Sequence, residues 1–272
     1  MSTEPDLPAW AEAFHGEGPG AAPALRLDHP ITRAWAYGDG SGRGVRVAVL
    51  DSGIDAGHPL VGSVAEHVAV TVDRDAAGGI RIETGPHDDL YGHGTACAAI
   101  IRSLAPEVEL ISVRVLGLTL KGSSAAFASG LEWCVEHGVS IANLSLSTSN
   151  PNQAETFHRL VDRAAFRRML LVSAMNNERK LTIPSEYAGV FSVACGPGDD
   201  RERFWCNPTG PAEWGACGLD IEVAWNGGTT TRASGNSFAA PVIVGHLARI
   251  MGAHPGLTPW QARTVLAAVA AN

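Results

Sequence analysis

Four short, largely apolar runs lie between polar stretches in the first two thirds of the chain. They occupy residues 45–50, 110–116, 139–147 and 169–174. Runs of this length without strict alternation are typical of parallel strands that are buried on both faces. We therefore predict that these runs are strands of one sheet.

Helical segments separate the predicted strands. A short helix is predicted at residues 31–35, a small-residue helix after His93, and longer helices at residues 125–137 and 153–167. Strands that alternate with helices of this length form βαβ units, whose right-handed crossovers give a parallel sheet. The pattern thus predicts an α/β fold.

Weaker signals lie outside this alternation. Loose alternation around the Gly78-Gly79 pair predicts a hairpin at residues 68–83. Residues 190–195 and 221–225 are predicted to be two more strands. The segment between them is rich in Gly, Trp and Cys, and we expect it to be irregular.

Length and composition indicate one globular domain. The 272 residues, of which 45% are hydrophobic and 18% charged, suit a single large core. The first part of the chain is rich in Pro, Gly and Ala. We therefore predict a poorly ordered arm at residues 1–30, followed by one domain at residues 31–272.

Charge and cysteine content indicate which partners the protein can bind and in which cellular compartment it lies. The formal net charge of −8 argues against nucleic acid, and no apolar run is long enough to span a bilayer. The start of the chain lacks the apolar region of a secretory signal. The five cysteines follow no metal-ligand spacing, so we expect reduced thiols in the cytoplasm, with a Cys206–Cys217 disulfide left open. No cofactor or metal is expected.

A polar turn that leads directly into an apolar helix places Ser237 at the junction. Gly235 allows backbone conformations that other residues resist, and Pro241 is tolerated in the first turn of a helix. Backbone N–H groups around a helix N-terminus can hold a developing oxyanion. Taken alone, however, this serine fits a helix cap better than a nucleophile.

Two further residues stand where α/β sheets carry out chemistry. Asp51 directly follows the first predicted strand, at the carboxyl edge of the sheet, although an aspartate there can also cap a turn. His93 lies between Gly92 and Gly94 at the start of a small-residue helix. Flanking glycines pack poorly but let other groups approach the ring closely, so we expect a functional histidine.

Three blocks of the sequence together resemble the signature blocks of subtilisin-like serine proteases. The blocks are residues 51–55 (DSGID), 92–95 (GHGT) and 235–241 (GNSFAAP), and they occur in the family's order. The resemblance extends over residues 31–271. It implies a three-layer doubly wound sandwich with a mainly parallel central sheet.

The resemblance also implies a peptidase mechanism. Ser237 would be the nucleophile, His93 the general base and then acid, and Asp51 the residue that orients the imidazole. Asn176, just after the fourth strand, would donate its amide to the oxyanion beside the backbone N–H of Ser237. The substrate would be a peptide or protein, and the resemblance leaves the oligomeric state open.

Three positions depart from the resembled family or mark a subset of it. Asn236 precedes the nucleophile, where the family usually has threonine, and its amide is expected to tune the site. Asn176 follows Met175 rather than glycine. Cys97, one helical turn after His93, matches the cysteine of a thiol-containing subset, and it is either a reachable thiol or an inert core residue.

In the resembled family an extended peptide adds as a β-strand, here between residues 118–122 and 144–147. The P1 pocket would be closed by the segment around Thr182, whose side chain would narrow it together with that of Ser147. We therefore expect small or medium uncharged P1 residues. The predicted substrate-binding residues are Leu120, Gly122, Ser145, Leu146, Ser147, Ser173 and Thr182.

Alternatives stay open at this stage. Asp88 and Asp89 either favour a basic P2 residue or form a solvated acidic turn. The protein is expected to be a serine endopeptidase. A dedicated maturation protease that removes a leader from a cytosolic precursor is the first alternative, and a non-catalytic peptide-binding module on the same fold is the second.

Overall fold

The computed structural model describes residues 29–272. The predicted N-terminal arm, residues 1–30, therefore falls almost wholly outside the described residues. The helices are α1 (Arg33–Tyr37), α2 (His93–Leu104), α3 (Ser124–Glu136), α4 (Ala154–Phe166), α5 (Asn236–Ala253) and α6 (Pro259–Ala268). The strands are β1 (Arg46–Asp51), β2 (Glu66–Val72), β3 (Ile80–Thr84), β4 (Glu109–Arg114), β5 (Ile141–Leu144), β6 (Leu170–Ala174), β7 (Phe191–Cys195), β8 (Phe204–Cys206), β9 (Trp214–Ala216), β10 (Ile221–Trp225) and β11 (Thr229–Ala233).

Nine strands form the main sheet within residues 29–272. Their order is β3-β2-β4-β1-β5-β6-β7-β9-β8. Neighbours from β2 to β9 run parallel, whereas β3 and β8 run antiparallel at the two edges. β10 and β11 form a separate antiparallel pair. The prediction of an α/β fold with a mainly parallel sheet is confirmed.

Helices cover both faces of the sheet and give the fold its three layers. Along β1, Val47 and Val49 belong to the core beneath α2 and α5, while Ala48 and Leu50 belong to the core beneath α3 and α4. Successive side chains of a strand point to opposite faces, so a strand buried on both faces is apolar throughout. This explains the continuous apolar runs.

Several sequence expectations change at the edges of the fold. The predicted hairpin at residues 68–83 is confirmed as β2 and β3. The segment expected to be irregular between residues 195 and 221 contains β8 and β9, whose three residues each are too few to show a periodic pattern. The strand predicted to run to residue 147 ends at Leu144, and the following residues leave the sheet to form a cavity wall.

Helices α2 and α5 pack closely on one face. Gly245 of α5 lies against Leu104 at the end of α2. A Cβ added at Gly245 would come within 2.7 Å of the leucine side chain. Glycine is therefore required by this close helix contact.

Among the described residues, no helix combines the length and the hydropathy needed to cross a membrane.

Candidate active site

The three residues predicted to act together lie at the carboxyl edge of the sheet. Asp51 is the last residue of β1, His93 the first of α2, and Ser237 the second of α5. Asp51 shares the parity of Val47 and Val49, so its side chain points to the face that carries both helices. Strand register and two helix starts thus bring together residues that are 186 positions apart at most.

The three side chains form a continuous hydrogen-bonded chain. The imidazole Nδ1 of His93 lies 2.8 Å from Oδ2 of Asp51, and its Nε2 lies 2.9 Å from Oγ of Ser237. Asp51 is fully buried and His93 nearly so, whereas Ser237 is half-buried and lines an open cavity. The hydroxyl therefore faces both the base and the space where a substrate can bind.

The pKa of the His93 imidazole is raised well above its usual value of 6.5. Burial is the largest single effect and lowers this pKa, because a charge is costly away from water, but the neighbouring Asp51 carboxylate and Cys97 together raise it by more. The geometry therefore favours the imidazolium that forms when the ring accepts a proton.

Ser52 and Asp89 hold the carboxylate of Asp51 in place. The backbone N–H of Ser52 donates to Asp51 Oδ1 at 2.7 Å. The hydroxyl of Ser52 lies 3.2 Å from the same oxygen and donates to Oδ1 of Asp89 at 2.7 Å. A buried carboxylate needs hydrogen-bond donors, and the N–H of Ser52 supplies one to Oδ1 while Oδ2 faces the imidazole of His93.

The sequence analysis did not predict that Asp89 has a structural role at the start of α2. It is buried, and its oxygens accept from the backbone N–H groups of Tyr91, Gly92 and Thr95 and from the hydroxyls of Ser52 and Thr95. The carboxylate therefore caps the start of α2. The expectations of a solvated acidic turn, or of a contact with a basic P2 residue, are wrong for this residue.

The glycines around His93 have the role expected from the sequence. Gly92 has φ of 112°, and a Cβ there would lie 2.7 Å from the ring of Trp225. A Cβ on Gly94 would lie 2.0 Å from the carbonyl oxygen of Gly53. Only glycine fits either position. The contact at Gly94 holds the start of α2 against the residues that follow β1, and the contact at Gly92 holds it against the end of β10.

The Cys97 thiol lies beside the triad but is fully buried. Its Sγ is 3.9 Å from Oδ2 of Asp51, 3.9 Å from Nδ1 of His93 and 3.3 Å from Oγ of Ser145. Burial raises the pKa of this thiol, so it stays neutral and is a packing residue in the resting protein. Among the described residues, Asp51, His93 and Cys97 form the group whose donor atoms could hold a metal ion.

Two adjacent asparagines follow β6, and the structure corrects which one faces the nucleophile. The side-chain oxygen of Asn176 accepts from the backbone N–H of Glu178 at 2.9 Å, so this amide is folded onto its own loop. The side-chain oxygen of Asn177 instead accepts from the N–H of Asn236 at 2.9 Å. The side chain of Asn177 is therefore held at the start of α5 through its oxygen.

The amide of Asn177 and the hydroxyl of Ser237 border the same space. A Cβ built on Gly235 would lie 3.3 Å from Oγ of Ser237 and 3.5 Å from Nδ2 of Asn177. The Asn177 amide is thus in the position that the sequence analysis assigned to Asn176. The strand pattern correctly located the loop that carries the asparagine, but it could not decide between the adjacent residues Asn176 and Asn177.

A cavity of about 510 Å³ opens beside the triad. Of the predicted substrate-binding residues, five line it: Leu120, Gly122, Ser145, Leu146 and Ser147. The hydroxyl of Ser145 is already engaged, because it donates to the carbonyl of Ser237 at 2.7 Å and accepts from the amide of Asn143 at 2.9 Å.

The prediction that Ser173 and Thr182 bind substrate is corrected, because neither residue lines this cavity. Ser173 is fully buried and points away from the face of Val172, with its hydroxyl 3.0 Å from that of Ser185. Thr182 is also buried, and its hydroxyl donates to the carbonyl of Lys180 at 2.9 Å. Its side chain therefore does not narrow the pocket.

Comparison with known proteins identifies the class and then the family. Subtilisin Savinase from Lederbergia lenta is 30% identical over 239 residues, which are 83% of this chain and 83% of that protein. A thermostable alkaline protease from Halalkalibacterium halodurans is 33% identical over 82% of this chain and 61% of its own length. The crystal structure of a cold adapted subtilisin-like serine proteinase matches with a TM-score of 0.66 at 23% identity, covering 84% of this chain and 82% of that one.

The fold and the site together define a serine endopeptidase. The profile described as the subtilase family, Peptidase S8, matches residues 42–272, and the chain belongs to this family.

Proposed function

We propose that this protein cleaves internal peptide bonds through an acyl-enzyme formed on Ser237. The observation that carries the proposal is the chain of contacts from Asp51 to His93 to Ser237, at 2.8 and 2.9 Å. A hydroxyl within hydrogen-bonding distance of a buried, oriented imidazole is an activated nucleophile.

The proton moves along this chain in both halves of the reaction. In the first half, Oγ of Ser237 attacks the peptide carbonyl while Nε2 of His93 takes the hydroxyl proton. His93 then gives this proton to the leaving amine, and the acyl ester forms. In the second half, water replaces the amine and releases the acid, while Asp51 keeps the imidazole in the correct tautomer and stabilises its cation.

The oxyanion of each tetrahedral intermediate is held by two N–H donors in this proposal. One is the backbone N–H of Ser237, near the start of α5, where helix geometry leaves N–H groups without intrahelical partners. The other is Nδ2 of Asn177, which borders the same space as the hydroxyl. Preorganised donors of this kind stabilise charge that develops only in the transition state.

The substrate is an extended peptide that binds along the cavity walls, with small or medium uncharged side chains preferred at P1. Support for this preference comes from Ser147, Met175 and Asn176, which line the cavity beside the nucleophile. We propose that the side chain of Asn176, instead of that of Thr182, narrows the P1 pocket together with Ser147. Rejection of large P1 residues would be steric.

We also propose a cytoplasmic location, which the free thiols support. All five cysteines are unpaired, including Cys206 and Cys217, for which a disulfide was left open. Disulfides persist mainly in oxidising compartments. Thiol labelling of the protein in cells and after lysis tests this location. We expect the cysteines to be recovered as free thiols, whereas recovery as disulfides would indicate an oxidising compartment.

Neither alternative function is favoured. The similar proteins named above are a subtilisin and an alkaline protease, which gives no support to a dedicated maturation protease. The complete hydrogen-bonded triad argues against a non-catalytic module.

Labelling with a fluorophosphonate probe tests the proposal. We expect the probe to modify Ser237 in the wild type and to leave Ser237→Ala unmodified. Ser234→Ala is a matched control, because its exposed loop hydroxyl accepts from the N–H of Asp220 outside the triad. Peptide hydrolysis should fall by about 10⁶-fold in Ser237→Ala and in His93→Ala, and the double variant should be little worse. A wild type that neither labels nor cleaves peptides would contradict the proposal.

A further inference from the structure

Asn236, the first residue of α5, makes side-chain and backbone contacts with two separate parts of the chain, β7 and the loop after β6. Its side-chain oxygen accepts from the backbone N–H of Cys195 in β7 at 2.9 Å. Its side-chain Nδ2 lies 3.2 Å from the carbonyl oxygens of Met175 and of Asn176. Its backbone N–H donates to the side-chain oxygen of Asn177 at 2.9 Å.

These contacts connect the nucleophile to the loop after β6. Ser237 is the next residue, so any shift of Asn236 also shifts the serine. The carbonyls of Met175 and Asn176 belong to the segment that leads into Asn177. Asn236 therefore holds the backbone of the loop through its side-chain amide, and it holds the side chain of Asn177 through its backbone N–H.

An amide suits this position for a geometric reason. It has an acceptor at one end and two N–H donors at the other, so it can bridge β7 and the loop at once. A threonine hydroxyl in its place carries a single proton on a shorter side chain, and it cannot replace all three contacts. The contact with Cys195 also anchors the amide to the central sheet, which is the rigid part of the fold.

We propose that Asn236 is a positioning residue that sets the Asn177 amide against Ser237. This inference rests on the proposed oxyanion role of Asn177. Asn236 touches no reacting atom, and it acts by fixing the distance between the two oxyanion donors. A displacement of about 1 Å at such a site can lower the rate by roughly 10²-fold.

Asn236→Asp is the sharpest variant, because it keeps the size of the side chain and the acceptor for Cys195. It removes both N–H donors and turns a carboxylate oxygen towards the carbonyls of Met175 and Asn176, which repels the loop. We expect kcat for a neutral peptide to fall about 10- to 100-fold with KM within about twofold, since the contact acts on the transition state. Asn207→Asp is the matched control, because it removes an exposed amide contact with the carbonyl of Ala212.

A double-mutant cycle with Asn177→Ala identifies the route of the effect. If Asn236 acts through Asn177, then Asn236→Asp should lower kcat by less than about threefold once the Asn177 amide is absent. An equal loss of kcat in both backgrounds would overturn the inference, and so would an unchanged kcat in the single variant.

Hydrogen exchange of residues 175–178 supplies a readout that needs no activity. In the Ser237→Ala background, Asn236→Asp should speed exchange in this segment while Asn207→Asp leaves it unchanged. Unchanged exchange in Asn236→Asp would overturn the inference even if the wild type proved inactive. Failure of the fluorophosphonate to label wild-type Ser237 would instead count against the proposed function alone.

Discussion

At the scale of single residues, the site depends on which atoms of similar side chains are already engaged. Asn176 and Asn177 are chemically identical and adjacent, and both line the cavity. The oxygen of Asn176 accepts within its own loop, whereas that of Asn177 accepts from the start of α5. Their amides therefore serve different ends, one as cavity wall and the other as proposed oxyanion donor.

Replacing each asparagine by alanine should separate these two roles. Asn177→Ala should lower kcat by about 10²–10³-fold, the usual effect of removing one oxyanion donor, with little change in KM. Asn176→Ala should leave kcat for a small P1 residue within about tenfold and increase the relative rate for larger P1 residues. Steady-state kinetics on peptides that differ only at P1 measure both effects. The reverse pattern, with the larger kcat loss in Asn176→Ala, would restore the assignment made from the sequence.

The His93 imidazole should set the pH dependence of the reaction. It acts as a base only when neutral, and its pKa is raised above 6.5 by Asp51. We therefore expect kcat/KM for an uncharged peptide to rise with pH and to be half-maximal above pH 6.5. Asp51→Asn should move this midpoint to lower pH and lower the maximum rate. A wild-type midpoint below pH 6.5 would contradict the assigned balance between burial and the carboxylate.

At the scale of elements, the triad depends on how two helices pack. α2 carries His93 at its start and α5 carries Ser237 at its start, and the two helices touch further along at Leu104 and Gly245. The distance between the helices therefore contributes to the 2.9 Å contact between the imidazole and the hydroxyl. A side chain at Gly245 would force this distance to increase.

Gly245→Ala should lower both stability and turnover. The added Cβ would lie 2.7 Å from Leu104, and overpacking of this kind costs about 1–3 kcal/mol, partly offset by the gain in helix propensity. We expect unfolding free energy to fall by about 1–2 kcal/mol in urea titrations of Ser237→Ala, and kcat to fall in the active enzyme. Gly189→Ala is the control, since its Cβ would lie 2.8 Å from Val161 in α4 and Gly189 precedes β7, at the edge of the sheet opposite to the triad. An equal kcat loss in both variants would argue against a specific role for the α2–α5 contact.

At the scale of the whole molecule, a buried histidine joins elements that are distant in the sequence. His246 in α5 has its Nδ1 2.9 Å from the hydroxyl of Tyr37 in α1 and its Nε2 2.9 Å from the carbonyl of Arg201. A neutral ring satisfies both contacts, with Nε2–H donating and Nδ1 accepting. Burial lowers the pKa of His246 to about 4, and the nearby Arg249 also lowers it, against the raising effect of Glu202.

This histidine should make the protein less stable in acid. Its folded pKa of about 4 lies below the unfolded value of 6.5, so its contribution is complete above pH 6.5 and is lost as the pH falls towards 4. The loss amounts to about 2–3 kcal/mol by pH 4.5. The raised pKa of His93 has the opposite sign, because its contribution is present below pH 6.5 and is lost as the pH rises through the folded value. The wild-type profile therefore combines both groups.

A variant isolates the contribution of His246. In the Ser237→Ala background, His246→Gln should be less stable than its parent at pH 7.5, and this difference should shrink by about 2–3 kcal/mol at pH 4.5. Urea titrations at the two pH values measure it. The same substitution at the exposed His158, beside Asp162 on the surface of α4, serves as the comparison outside the core. If the difference between His246→Gln and its parent were the same at both pH values, titration of this ring would not be the cause.

The sequence by itself determined the fold class and the triad. Continuous apolar runs in β1, β4 and β6 required burial on both faces, and their alternation with helices required a parallel sheet. Strand ends and flanking glycines made Asp51 and His93 candidates, but it was the resemblance of three blocks, in the family's order, that combined them with Ser237. These local constraints on backbone and burial can be read one segment at a time.

Only the tertiary structure decided how neighbouring side chains divide their contacts. The choice of Asn177 over Asn176 depends on the N–H of Asn236, and the burial of Asp89 depends in part on the hydroxyl of Ser52, both of which are distant in the chain. Thr182 and Ser173 are withdrawn from the cavity by closer partners, Lys180 and Ser185, whose positions follow from how the loop after β6 folds. Asn236 similarly takes its meaning from Cys195 and from the loop after β6. Hydrogen bonding is directional and short-ranged, so which donor meets which acceptor is set by packing in three dimensions, and the order of residues carries no direct record of it.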